Sequence, residues 1–128
     1  MHRFIYKICA RPLWEDAEKT GVFMGAEIDL TDGYIHLSTD QQVAQTLSLH
    51  FAGQIDLLLI EVDANGLDIT WETSRGGQLF PHLYDSLPLS AVSAIWPLAL
   101  GSDSMHILPH YAKTKLKKRK QNEPQSLT

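Results

Sequence analysis

The run Asp56-Leu57-Leu58-Leu59-Ile60-Glu61-Val62 is nearly continuous in apolar side chains, with no alternation separating a wet face from a dry one. Such a segment is stable as a strand only when both faces are covered. It predicts a central strand, with the rest of the chain supplying the layers above and below.

The flanking segments carry the local signals for those layers. Phe4 to Cys9 is rich in aromatic and branched residues and reads as a first strand. Arg11-Pro12 opens a helix: Pro12 suits the first turn, Glu15 and Asp16 favour its positive end, Leu13, Trp14 and Ala17 form an apolar stripe, and Gly21 stops it. Val22 to Asp32 has no sustained period, and Asp32-Gly33 marks a turn into a strand from Tyr34 to Ser38. Ser38, Thr39 and Asp40 are good N-caps, with Gln41 and Gln42 at capping-box spacing, so a second helix is expected from there to about Phe51, with Gly53 beyond it.

Asn65-Gly66 makes a turn into a shorter strand over Leu67 to Glu72, and Ser74 to Gly77 is a flexible loop. Leu79 to Tyr84 is aromatic but holds Pro81, which argues for an edge or irregular segment. Ala91 to Leu98 and Met105 to Leu108 are further strands. Two early helices and mostly late strands, without regular β-α alternation, predict an α+β fold.

At 128 residues, with 44% hydrophobic and 20% charged side chains, the chain has enough apolar material for one core. Charge is unevenly placed. Residues 1 to 112, the expected single domain, carry five basic and fourteen acidic side chains, a net of −9, whereas residues 113 to 128 carry a net of +5. An acidic body repels phosphate backbones, so nucleic acid is not an expected partner of the domain. The basic tail at 113 to 128 has little to bury and is expected to be disordered. The lone Cys9 has no partner for a disulfide, and the N-terminal residues lack the pattern of a secretory signal. With no apolar run of about 20 residues to span a membrane, a cytoplasmic protein is expected.

Two segments carry candidate chemistry. In a strand, Tyr34, His36 and Ser38 project to one face and Ile35 and Leu37 to the other. That face runs into the start of the next helix, where unpaired N–H groups favour anions. In the second segment, Arg75 on a glycine-rich loop can clamp a carboxylate or phosphate, and His82 and Tyr84 can add acid-base or stacking contacts. Glu72 beside Trp71 would have a raised pKa if buried and no special property if it faced solvent. Each segment also has a purely structural interpretation: a helix cap with a hydrogen-bonded histidine in the first, a solvated arginine and core aromatics in the second. His106 and His110 have zinc-ligand spacing, but Pro109 breaks the helix that would join them. No metal site is expected.

Taken in order, Ile5-Tyr6-Lys7-Ile8, Trp14, Asp32 to Thr39, Gln42, Trp71-Glu72 and Phe80-Pro81-His82-Leu83-Tyr84 resemble the domain of unknown function 952 family, over about residues 3 to 108. The resemblance implies a distant relation to the ADP-ribosyltransferase-like fold: a small two-sheet architecture with two N-terminal helices on mainly antiparallel strands. Its members bind NAD in a cleft between the sheets. By that analogy His36 would contact a ribose, Tyr84 or Tyr34 would stack, Glu72 would be the catalytic acid, and His82 and Arg75 would hold the pyrophosphate, with His82 also a catalytic candidate and Ser38 lining the cleft. Lys7 departs from the pattern, because many transferases place histidine or arginine there. An NAD- or ADP-ribose-binding transferase or hydrolase and a noncatalytic sensing or interaction module therefore both stand as expectations. The sequence does not specify an oligomeric state.

Overall fold

The computed structural model describes residues 2–108, with the side chain of Arg75 excepted; the basic segment 113–128 lies outside the described residues. The apolar run forms strand β4 (Leu57–Asp63), which pairs antiparallel with β1 (Phe4–Ala10) on one side and β8 (Val92–Leu100) on the other. A short β9 (His106–Ile107) completes the sheet order β1-β4-β8-β9. β4 is interior, as its composition requires.

Its two faces meet different partners. Leu57 and Leu59 pack with Tyr6, Ile8, Trp96 and Leu98 beneath helix α3 (Val43–His50), which contributes Val43 and Leu47. Leu58, Ile60 and Val62 pack with Ile5 and Cys9 against Trp14 and Ala17 of helix α1 (Arg11–Thr20) and against Ile35, Leu37 and Leu83 of a second sheet. Helix α1 ends where expected: Gly21 takes a left-handed φ of 85° and its N–H closes on the carbonyl of Ala17.

The second sheet has the order β3-β6-β5, formed by β3 (Ile35–His36), β5 (Ile69–Thr73) and β6 (Leu79–Leu83). A third, two-stranded sheet pairs β2 (Val22–Phe23) with β7 (Leu87–Pro88). The α+β class and the mainly antiparallel pairing are as expected. There are three sheets among the described residues, however, and three α-helices. The unexpected helix, α2 (Glu27–Asp32), is six residues long and buries only Asp29. A helix this short and polar leaves no apolar period in the sequence.

Two other differences have local causes. The helix expected from Ser38 begins at Val43, because Thr39 to Gln42 form a turn in which the Gln42 side chain accepts the Thr39 N–H at 3.0 Å. Pro81, expected at an edge, lies in the central strand β6. The β3 ladder stops at His36↔His82, so the missing N–H of Pro81 falls just past it, and the proline carbonyl still accepts from Leu37 at 3.1 Å. The two larger sheets are joined there: Tyr6 and Ser38 exchange backbone hydrogen bonds of 2.8 Å each way.

If β4 holds the core together, Leu59→Ala, at a fully buried position, is expected to cost about 3 kcal/mol. Ile55→Ala, just outside the strand and exposed, should stay within about 0.5 kcal/mol of the parent. Urea denaturation of both variants checks the contrast.

Candidate functional site

The pleat of the second sheet decides which side chains can meet. Register places His36 opposite His82 and His82 opposite Thr70, while Glu72 lies opposite Phe80. Side chains alternate along each strand, so His36, Phe80, His82 and Glu72 share one face, and Ile35, Pro81, Leu83 and Trp71 share the other. The second set turns toward the core. The first forms a layer of rings continued by Tyr34 and Tyr84, which flank β3 and β6.

In that layer the Tyr34 ring stacks on His82 at 4.1 Å, with Tyr84 at 5.0 Å and His36 at 4.5 Å. His36 and His82 meet edge-on at 5.6 Å. Each histidine is also held by a carboxylate. His82 Nδ1 lies 2.8 Å from Glu72 Oε1, the same oxygen that accepts the Tyr84 hydroxyl at 2.6 Å. His36 is bracketed, with Nδ1 2.6 Å from Asp29 Oδ1 and Nε2 3.0 Å from Asp32 Oδ2.

Asp29 and Lys7 form a buried ion pair of 2.8 Å, and the Lys7 ammonium also donates to the carbonyl of His36 at 3.1 Å. Asp29 further accepts the backbone N–H groups of Ala26 and His36. Burial alone would raise its pKa, but the hydrogen bond from His36, the charge and hydrogen bond of Lys7 and the Ala26 N–H together lower it to about 2.

Glu72 is half exposed, so the condition for a raised pKa is not met, and the hydrogen bonds from Tyr84 and His82 lower it. Its strand points it away from the core side of Trp71, toward two donors. The Tyr84 phenol is pushed up to about 12, chiefly by its bond to Glu72, and Tyr34 is raised by desolvation and then by Asp32, Glu72 and Asp29. Burial pushes the Cys9 thiol up to about 12, which leaves it inert as a nucleophile.

A cleft of about 490 Å³ opens between the two larger sheets, with Tyr34, His36, Ser38 and His82 in its lining and Lys7 and Asp32 beside them. Glu72 and Tyr84 reach it through His82 and Tyr34. Ser38 does not cap α3; its hydroxyl lies 3.0 Å from that of Thr46 on the cleft wall. The Arg75 side chain lies outside the described residues. His106 Nε2 lies 2.7 Å from the carbonyl of Gln54, and His110 is outside the described residues. Among the described residues, no group of three or more His, Cys, Asp or Glu side chains is placed to hold a metal ion, and no helix is long and apolar enough to cross a membrane.

Sequence reasoning missed Lys7, Asp29 and Asp32 as parts of the site. Lys7 had a readable signal, a cation within an apolar strand that needs a buried partner. Asp29 had none, because its helix was invisible and its partners lie on β1 and β3.

The sequence profile of a family described as Protein of unknown function (DUF952) matches residues 8–95. The crystal structure of protein CC0527 from Caulobacter crescentus is similar at 42% identity and a TM-score of 0.81, covering 86% of this chain and 98% of that one. Its solution NMR structure is similar at 43% identity and a TM-score of 0.73, covering 81% and 91% respectively. No curated protein matches the chain.

The Asp29 pair predicts an acid transition. A folded-state pKa of about 2 against an ordinary 3.8 gives stability that is complete above pH 4 and lost as pH falls through 2, amounting to about 2 kcal/mol. Asp29→Asn leaves the Lys7 charge buried without its counter-ion and should cost about 3–5 kcal/mol at neutral pH. Its urea midpoint should also fall less than the parent's between pH 4 and pH 2.

Proposed function

This chain belongs to the DUF952 family, and we propose that its cleft binds a nucleotide-like ligand of the NAD or ADP-ribose type. The observation that carries the proposal is the ring layer. Tyr34, stacked with His82 and flanked by His36 and Tyr84, gives a planar heterocycle an aromatic surface on which to lie. The cleft is of small-molecule size. It adds polar groups suited to a ribose, the paired hydroxyls of Ser38 and Thr46 and the imidazole of His82. Arg75 is the candidate for the pyrophosphate.

The ADP-ribosyltransferase-like relation belongs to this proposal too. The supporting point is that the cleft lies between two small antiparallel sheets, the location that relation implies. One observation argues against the transferase chemistry of that fold: Lys7, at the position where many of its transferases carry histidine or arginine, is bound to Asp29 and His36. A charge spent inside the protein is not offered to a substrate.

The test is calorimetry and thermal melting with NAD and ADP-ribose. Ligand at a hundred times its Kd should stabilise the protein by about 2.7 kcal/mol, a rise of several degrees in Tm. Tyr34→Ala should abolish the rise, measured against the variant's own ligand-free Tm, which the loss of its ring contacts lowers. No response to either nucleotide, in heat or in melting, sinks the proposal.

A further inference from the structure

We infer that His82 is the proton acceptor of the cleft, aimed by Glu72, and that the group it deprotonates is an O–H held against the Tyr34 ring layer. The inference deepens the nucleotide reading and takes only the identity of the ligand from it.

The two cleft histidines are not equivalent. His36 has a carboxylate at each ring nitrogen, Asp29 at Nδ1 and Asp32 at Nε2. Neither nitrogen is free to take a proton from a ligand. His82 has one carboxylate, at Nδ1, and among the described residues its Nε2 has no hydrogen-bond partner. The His82 side chain is 6% exposed and lines the cleft.

Glu72 then sets the tautomer. A carboxylate only accepts, so the neutral imidazole facing it carries its proton on Nδ1 and its lone pair on Nε2. Glu72 is held in the ionised form by the same two donors that orient it, Tyr84 and His82. Tyr84, with its phenol at about 12, stays a donor and steadies the carboxylate without competing for the cleft. Tyr34, stacked on the imidazole at 4.1 Å, fixes the ring plane. This is the arrangement a general base requires: a nitrogen without a hydrogen-bond partner among the described residues, on a side chain that lines the cleft, a carboxylate behind the other nitrogen, and a fixed ring.

With NAD as the probe and water as the O–H group, the step balances. His82 Nε2 takes a proton from water as the water oxygen bonds to the ribose carbon carrying nicotinamide. The carbon–nitrogen bond breaks with its electron pair going to the pyridinium nitrogen, and neutral nicotinamide and ADP-ribose leave. The proton passes from His82 to solvent. Glu72 acts through His82 and is a positioning residue.

Two measurements test this. Long-range ¹H–¹⁵N NMR of the full chain should show the neutral His82 ring protonated at Nδ1, and Glu72→Ala should lose that preference. Nicotinamide release from NAD should fall on the order of 10²-fold in His82→Gln. Glu72→Ala should lower kcat on the order of tenfold with KM nearly constant. An Nε2–H tautomer in the parent overturns the inference whatever binds. Tight ADP-ribose binding with no nicotinamide release also overturns it, and leaves the binding proposal intact. If no nucleotide binds, the ligand assignment falls, and the tautomer alone decides for or against His82.

Discussion

The buried ion pair between Lys7 and Asp29 is the constraint on which the site depends. Two charges removed from water cost several kcal/mol each unless geometry restores the lost hydration. Here the restoration is thorough. Asp29 accepts from the Lys7 ammonium, the His36 ring and two backbone N–H groups. Lys7 reaches out from β1, Asp29 from α2 and His36 from β3, so one polar cluster fastens the neighbouring α2 and β3 to the first strand. The pair also explains why α2 holds its place with only Asp29 buried.

From that anchor the cleft follows by geometry. Lys7 binds the carbonyl of His36, and two residues later Ser38 exchanges backbone bonds with Tyr6. The strand that carries the candidate site is thus fastened to the edge of the main sheet, and the space beside this junction becomes the opening. The pleat then sorts the side chains: Ile35, Pro81 and Leu83 enter the core, while Tyr34, His36, Phe80, His82 and Tyr84 are left on the other face with Glu72. That layer of rings, backed by carboxylates and facing the cleft, gives the ligand proposal its physical basis.

The same arrangement divides labour between two similar histidines. His36 is spent on structure, bracketed by Asp29 and Asp32, and it ties α2 to β3. His82 is backed on one side only. Counting histidines in the sequence would not separate them, because both sit in strands with similar neighbours. The difference lies in what α2 and β5 place behind each ring.

Much of the fold was readable from local pattern. The run at Leu57 to Val62 demanded cover on both faces and received it. Pro12 and Gly21 marked the ends of α1, and the alternation at Tyr34 to Ser38 separated Ile35 and Leu37, both in the core, from Tyr34 and His36 in the cleft. These signals survive because a strand's two faces and a helix's ends are fixed by chemistry within a few residues. What the sequence could not supply was every relation that depends on pairing across the chain: α2, whose single buried residue answers a lysine on β1; Pro81 in a central strand, tolerated because the neighbouring ladder ends beside it; the two donors that lower the pKa of Glu72. Periodicity reports whether a side chain is wet or dry. Register and long-range charge pairing decide what it touches, and in this protein the candidate site is made of such contacts.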